Sequence, residues 1–158
     1  MLSEADARGA VSGPEAYRFF TPGRLATFRA AAACIVPSEG DSPGADSDRA
    51  IAIADRALAA RPAADQRLLG VFLGALERLP LLRFGRPFSR LPLDKRAAVL
   101  RFLESNRVLR PLRQGFFGVK TFALMGYYGA EETWGPLGYP GPRRDAPYYQ
   151  LRRGSEAP

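Results

Sequence analysis

The sequence predicts an all-α fold of about five helices in a compact bundle, followed by an irregular aromatic C-terminal arm. Three observations support this prediction. Apolar residues recur every three to four positions in five segments, as they do on the buried face of a helix. Threonine, serine, aspartate or proline stands where most of these segments begin, as is typical of helix N-termini. No segment shows the strict apolar–polar alternation of a half-buried strand.

The first predicted helix covers residues 21–37. Thr21 is a suitable N-cap, and Pro22 stands at the first helical position, where its missing N–H costs nothing. Pro37 ends the helix, because the residue before a proline avoids the helical conformation. The apolar face comprises Leu25, Phe28, Ala32 and Ile35. Residues 1–20 are predicted to form a flexible N-terminal lead with an aromatic end.

Two more helices are predicted after a polar loop at residues 38–48. The second helix runs from about residue 48 to residue 60 and is capped by Asp46 or Ser47. The third runs from Pro62 to about residue 79. Their predicted core faces are Ile51, Ala54 and Leu58 on the second helix, and Leu69, Phe72, Leu73 and Leu76 on the third.

The last two helices follow a second predicted loop at residues 80–92. Pro92 starts the fourth helix, and the fifth begins near Leu109 or Pro111 and ends near Tyr128. The predicted core faces are Leu93, Ala97, Leu100 and Leu103, then Leu112, Phe116, Val119, Ala123 and Tyr127. Glycines in the last helix each weaken it by about 1 kcal/mol where exposed, but they also allow another element to approach closely.

Composition places the chain among small basic globular proteins. It has 158 residues, 46% of them hydrophobic, and a net charge of +7. We expect one helical domain at residues 21–142, with a polar tail at residues 143–158. A basic protein attracts nucleic acid, anionic lipid or an acidic partner. The arginines are scattered rather than gathered on one helix face, which argues against a nucleic-acid surface.

The sequence offers no catalytic, cofactor-binding or metal-binding set. It contains no histidine and one cysteine, Cys34, which excludes histidine-based catalysis, thiolate zinc sites, iron–sulfur clusters and haem attachment. Cys34 is expected to be a buried, inert thiol. Glu131 and Glu132 are neighbours at a helix end and are expected to be solvated rather than an acid–base pair. The acidic residues 39–48 lack the spacing of a calcium loop.

No transmembrane segment is expected, because no apolar run reaches the ~20 residues that span a bilayer. No signal peptide is visible near the start of the chain, where acidic residues stand in place of a basic region. The sequence therefore leaves both a cytoplasmic and a periplasmic location open.

The aromatic segment at residues 127–142 is the feature that most needs an explanation. It combines tyrosines and the single tryptophan with several glycines and prolines, so it is too broken for a helix and too aromatic for a solvated tail. One interpretation is an arm folded over the protein's own helices. The other is an arm that docks on another protein, since tryptophan and tyrosine are enriched at binding hot spots.

The order of residues in this segment resembles the C-terminal signature of the gluconate 2-dehydrogenase subunit 3 family. The signature reads Tyr127-Tyr128, then Trp134, then Leu137-Gly138-Tyr139-x-Gly141-Pro142. Further matching pieces are, in chain order, Phe28, Ala31, Ile35 and Pro37; Pro43-Gly44-Ala45; Phe88-x-x-Leu91; Arg96-x-x-x-Leu100; and Lys120-Thr121. The resemblance extends over about residues 21–142.

The resemblance implies a non-catalytic small subunit of a flavin-dependent sugar or sugar-derivative dehydrogenase. In that family the large subunit, of the glucose–methanol–choline oxidoreductase (GMC) type, holds the FAD and the catalytic residues. The small subunit supports its folding, maturation or stability, and in some members a cytochrome c subunit takes the electrons. Many members carry a twin-arginine export signal, and none is visible here. The expected partner interface comprises Tyr127, Tyr128, Trp134, Leu137, Gly138, Tyr139, Gly141 and Pro142.

Three other functions stay open at this point. A basic helical nucleic-acid-binding protein would use its arginines and aromatic rings on phosphates and bases. A chaperone of the flavoprotein would differ from a permanent subunit only in the lifetime of the complex. An independent enzyme would have to work with aspartate, glutamate, tyrosine or arginine alone.

Overall fold

The computed structural model describes residues 17–106 and 108–141, and this part of the chain is helical. Pro142, the predicted polar tail and most of the predicted N-terminal lead lie outside the described residues. The α-helices are α1 (Pro22–Ile35), α2 (Asp48–Ala59), α3 (Ala63–Arg78), α4 (Leu81–Phe84), α5 (Leu93–Ser105) and α6 (Arg110–Gly129). Short 3₁₀ helices cover Phe88–Arg90 and Glu131–Thr133. No β-strand occurs within the described ranges, which confirms the all-α prediction.

The five long helices begin where the local sequence predicts them. The Thr21 side chain accepts a hydrogen bond from the N–H of Arg24, and Pro22 opens α1. The Ser47 hydroxyl accepts a bond from the N–H of Ala50 and so caps α2. Each cap satisfies one of the backbone N–H groups that a helix start leaves without an intrahelical partner. None of the described helices is long and apolar enough to cross a membrane.

The predicted loop at residues 80–92 contains two short helical turns that the sequence did not predict. α4 follows Pro80 and ends at Gly85, whose φ of 64° is the left-handed conformation that glycine adopts readily. The 3₁₀ turn that follows carries Phe88, which is completely buried. Burying that ring holds the loop against the helices.

α6 lies at the centre of the bundle and packs against α1, α2, α3 and α5. Its predicted core face is buried from Phe116 through Val119 and Ala123 to Tyr127. The prediction was wrong for Leu93, which was placed in the core and is 56% exposed. It is the first residue of α5, and the buried face of that helix begins a turn and a half later.

Glycines let α6 approach its neighbours more closely than any larger residue would. A Cβ at Gly126 would lie 2.3 Å from the carbonyl oxygen of Ala50 on α2. A Cβ at Gly115 would lie 2.2 Å from the Phe72 ring on α3. These glycines are packing sites, as the sequence suggested, and their low helix propensity is offset by the close contact they allow.

A buried carboxylate ties the segment before α1 to α2. Asp55 is 2% exposed, and its oxygens accept hydrogen bonds from the backbone N–H groups of Arg18, Phe19 and Phe20 at 2.8, 2.9 and 3.0 Å. Phe19 and Phe20 are each 3% exposed and belong to the core. Packing of the chain onto the core therefore starts before the first helix.

We expect Gly126→Ala to destabilise the fold, because the new methyl group would meet the Ala50 carbonyl oxygen of α2. Overpacking of this kind costs about 1–3 kcal/mol. Urea unfolding followed by circular dichroism measures it. Gly23→Ala is the matched control, since a Cβ at that helical position has no atom within 4 Å. Equal stability of the two variants would contradict the close contact between α2 and α6.

We expect Asp55→Asn to destabilise the protein and loosen residues 17–20. The amide nitrogen that replaces one carboxylate oxygen would face a backbone N–H donor, and a buried donor without a partner costs about 1–3 kcal/mol. Thermal unfolding and proteolysis near Arg18 are the measurements. Asp94→Asn, at an exposed position in the first turn of α5, is the control. Wild-type protection of Arg18 in the Asp55 variant would contradict the role of this carboxylate.

Candidate partner-binding site

The aromatic arm starts at two tyrosines whose environments differ. The Tyr127 ring is 7% exposed, and its hydroxyl lies 3.1 Å from the Ser42 hydroxyl, so that one donates to the other. Tyr128 is 58% exposed. Successive helical residues point about 100° apart, which places the first tyrosine on the core face and the second on the surface. Tyr127 therefore anchors the arm inside the domain.

The arm is tied to the C-terminus of α6 by a buried hydroxyl. Thr133 is completely buried, and its Oγ1 lies 2.8 Å from the carbonyl oxygens of both Tyr127 and Ala130. Helix C-termini leave carbonyl groups without intrahelical partners, and the single proton of this hydroxyl is shared between these two oxygens. The bond closes the chain into a tight turn directly after the helix.

Trp134 organises the residues that follow. Its indole Nε1 donates a hydrogen bond to the carbonyl oxygen of Tyr128 at 2.8 Å. Its ring packs edge-on against the Tyr139 ring, with 5.4 Å between the ring centroids. The Tyr139 N–H donates back to the Trp134 carbonyl oxygen at 2.9 Å. Gly138 and Gly141 have φ angles of 64° and 91°, which side-chain-bearing residues rarely adopt. The arm thus folds back over its own tryptophan.

Three apolar side chains of the arm remain available for contact. Tyr128, Leu137 and Tyr139 are 58%, 48% and 48% exposed. Trp134 is half-buried, and Gly141 is buried beside it. The structure therefore separates the predicted interface residues into buried anchors, backbone-shaping glycines and exposed contacts. Pro142 lies outside the described residues.

The groups with acid–base or thiol chemistry do not converge on this site. Glu131 and Glu132 are both exposed, and Glu131 lies 3.9 Å from Arg49, a surface pair that contributes little. Cys34 is partly buried, and burial raises the pKa of its thiol above the ordinary value. No cluster of three or more metal-ligating side chains occurs in the described part of the chain.

A second apolar surface was not predicted from the sequence. Leu68 and Val71 on α3 are 72% and 71% exposed, and they border a groove of about 640 Å³ between α2, α3 and α6. Leu68 directly precedes the predicted core residue Leu69, and Val71 directly precedes the predicted core residue Phe72. Apolar side chains that extend beyond the buried stripe of a helix are the signal that could have revealed it.

Comparison with models of known protein families identifies the family of this chain. The family model described as gluconate 2-dehydrogenase subunit 3 matches residues 22–141. The chain belongs to the gluconate 2-dehydrogenase subunit 3 family. The match to the subunit 3 model starts at the first residue of α1 and ends at Gly141, so it includes the folded arm. The resemblance found in the sequence is confirmed. No curated protein and no solved structure gave a significant match.

We expect Gly141→Ala to change the environment of Trp134, the single tryptophan of this subunit 3 protein. The substitution combines an unfavourable positive φ with a Cβ 3.0 Å from the indole ring, so the arm should open and the tryptophan emission should shift to longer wavelength. Gly135→Ala is the control, since its Cβ would have no atom within 4 Å. Identical emission spectra would show that the arm does not depend on Gly141.

Proposed function

We propose that this protein is the non-catalytic small subunit of a flavin-dependent dehydrogenase that oxidises a sugar or sugar derivative. Its partner is a large subunit of the glucose–methanol–choline type, which holds the FAD and the reacting groups. The small subunit binds this partner and supports its folding, maturation or stability. Membership of the gluconate 2-dehydrogenase subunit 3 family is the observation that carries the proposal, because a subunit implies a complex.

The geometry of the arm supports its role in binding. Tyr128, Leu137 and Tyr139 present about half of their surface to solvent on a backbone that is held by Thr133 and Trp134. A segment that is ordered before binding loses less conformational entropy when the complex forms. Tyrosine adds apolar area together with a hydroxyl that can find a polar partner at the rim of an interface.

The buried members of the predicted interface act indirectly in this proposal. Tyr127 holds the start of the arm against Ser42, and Trp134 holds its fold through Tyr128 and Tyr139. Their loss would weaken binding by releasing the arm, whereas loss of an exposed residue would remove a contact. A cytochrome c subunit that accepts the electrons would complete the complex.

Loss of an exposed aromatic side chain from the arm should weaken the complex. Tagged chain is co-expressed with the proposed flavoprotein subunit, and the flavin absorbance of the eluate is measured at moderate salt. The wild type should yield a yellow complex that reduces a dye when a sugar is added. Tyr128→Ala or Tyr139→Ala should weaken binding by about 1–3 kcal/mol, which is the range of interface hot spots. Trp134→Ala should weaken it as well, by opening the arm.

The matched control is Phe102→Ala, which removes a 51% exposed aromatic ring from α5. Its complex should elute like the wild type. Equal flavin recovery from the wild type, the three arm variants and the Phe102 control would remove the arm from the interface. A colourless wild-type eluate with intact flavoprotein in the flow-through would contradict a permanent subunit and leave a transient chaperone.

A further inference from the structure

The groove between α2, α3 and α6 is open to solvent and is lined mainly by apolar residues. Leu68 and Val71 border it on α3, and Met125, which is 46% exposed, borders it on α6. Of the described residues that line it, Arg61 and Asp65 are charged, and their side chains pair with each other at 2.8 Å. The other residues that line the groove carry no charge, and most of them are apolar. Covering them with an apolar partner surface would remove them from water, which is favourable.

The groove has the dimensions of a helix-binding site. On α6 it extends from Pro111 to Met125, which at 1.5 Å per residue is about 21 Å. A helix of about 14 residues has the same length. Helices α3 and α6 are antiparallel along the groove, since Gly115 lies against Phe72 and Gly118 lies against Leu69. Two helices with such a seam form a trough into which a third amphipathic helix can lay its apolar side.

The charges that flank the groove are positive. Arg67 precedes Leu68 and stands one turn before Val71, and Arg110 directly precedes Pro111, the first groove residue on α6. Neither of these arginines forms an ion pair with another described residue. The acidic residues of α3 are already engaged: Asp65 pairs with Arg61, and Glu77 accepts bonds from Thr27 and Ser89. The complementary occupant carries carboxylates beside its apolar stripe.

Neither residues 1–16 nor residues 143–158 match the groove in both charge and apolar content. Residues 143–158 carry four arginines against two acidic residues, so their charge matches that of the groove rim. Residues 1–16 carry three acidic residues against one arginine, but they contain few large apolar side chains, with Leu2 and Val11 the largest aliphatic ones after Met1. A second copy would bring the same +7 charge and the same arginines to the contact. Charge and apolar content together therefore favour a different chain, one with carboxylates beside a continuous apolar stripe.

The groove is also continuous with the aromatic arm. Thr121, Met125 and Tyr128 are exposed and follow one another at i, i+4 and i+7, so they share one face of α6. The first two line the groove, and Tyr128 begins the exposed part of the arm. One partner lying along this face of α6 would contact both surfaces.

We propose that this groove binds an amphipathic, carboxylate-flanked helix of the large flavoprotein subunit, an inference that rests on the proposed function. Apolar residues of that helix contact Leu68, Val71 and Met125, and its carboxylates lie against Arg67 and Arg110. The small subunit thus holds its partner at two places, the arm and the groove, on one side of α6.

The experiment compares charge insertion at the groove with charge insertion elsewhere. Tagged full-length chain and the flavoprotein subunit are co-expressed, and flavin absorbance per mole of tagged chain is measured in eluates from increasing sodium chloride. Leu68→Glu and Val71→Glu place a carboxylate at the groove. Leu82→Glu is the matched control, because Leu82 is 99% exposed on α4 and does not line the groove. Circular dichroism of each purified chain verifies folding.

We expect Leu68→Glu and Val71→Glu to weaken the complex roughly tenfold or more, as truncation of an interface hot spot does, while Leu82→Glu retains wild-type binding. Arg67→Glu should weaken binding most at low salt, whereas Arg86→Glu in the exposed loop after α4 should not. Loss of binding that is confined to the groove variants, with folding retained, supports the proposal.

Four results would overturn it. Wild-type flavin recovery from both groove variants would exclude the groove while leaving the proposed function intact. A wild-type chain that carries no flavin would refute the proposed function and this inference together. Equal loss from Leu82→Glu would show that the effect is not specific to the groove. A wild-type homodimer that Leu68→Glu splits into monomers would identify a second copy as the occupant.

Discussion

The arrangement of this protein depends on the close backbone contact between α6 and α2. At Gly126 the two helices come so near that an added methyl group would meet the Ala50 carbonyl oxygen. This contact sets the position of α6, which in turn packs against α1, α3 and α5 and carries the arm at its C-terminal end. A larger residue at this point would move the central helix of the bundle, and every surface built on that helix would move with it.

Local chemistry explains why the helices were predictable and why some of their connections were not. Thr21, Ser47 and Pro92 each affect the backbone of the helical turn that follows them. Their effect can therefore be predicted from neighbouring residues in the sequence. Asp55 acts on backbone groups 35 to 37 positions earlier in the chain. Its role appears only after folding brings the segment before α1 against α2, and periodicity cannot anticipate it. Phe88 likewise orders its loop through burial against distant helices.

The candidate site was predictable in its location and less so in the roles of its residues. The signature around Trp134 identified the arm, and helical phase separates Tyr127 from Tyr128, since Tyr127 continues the buried row through Val119 and Ala123. The bonds from Thr133 and the indole N–H join residues across a turn whose geometry depends on two left-handed glycines. The apolar groove was not predicted because Leu68 and Val71 adjoin the core residues Leu69 and Phe72, and the sequence pattern does not separate exposed from buried apolar residues on one helix.

Both exposed apolar surfaces lie along α6, where glycines contact neighbouring helices and one row of larger side chains, separate from the buried row, faces solvent. Gly115 and Gly118 bring α3 close and form the seam of the groove, while Thr121, Met125 and Tyr128 remain on the outer side. The groove and the start of the arm therefore both depend on one helix, which is fixed in place by its close contacts with α2 and α3. A surface that is ordered before binding loses less conformational entropy when a complex forms.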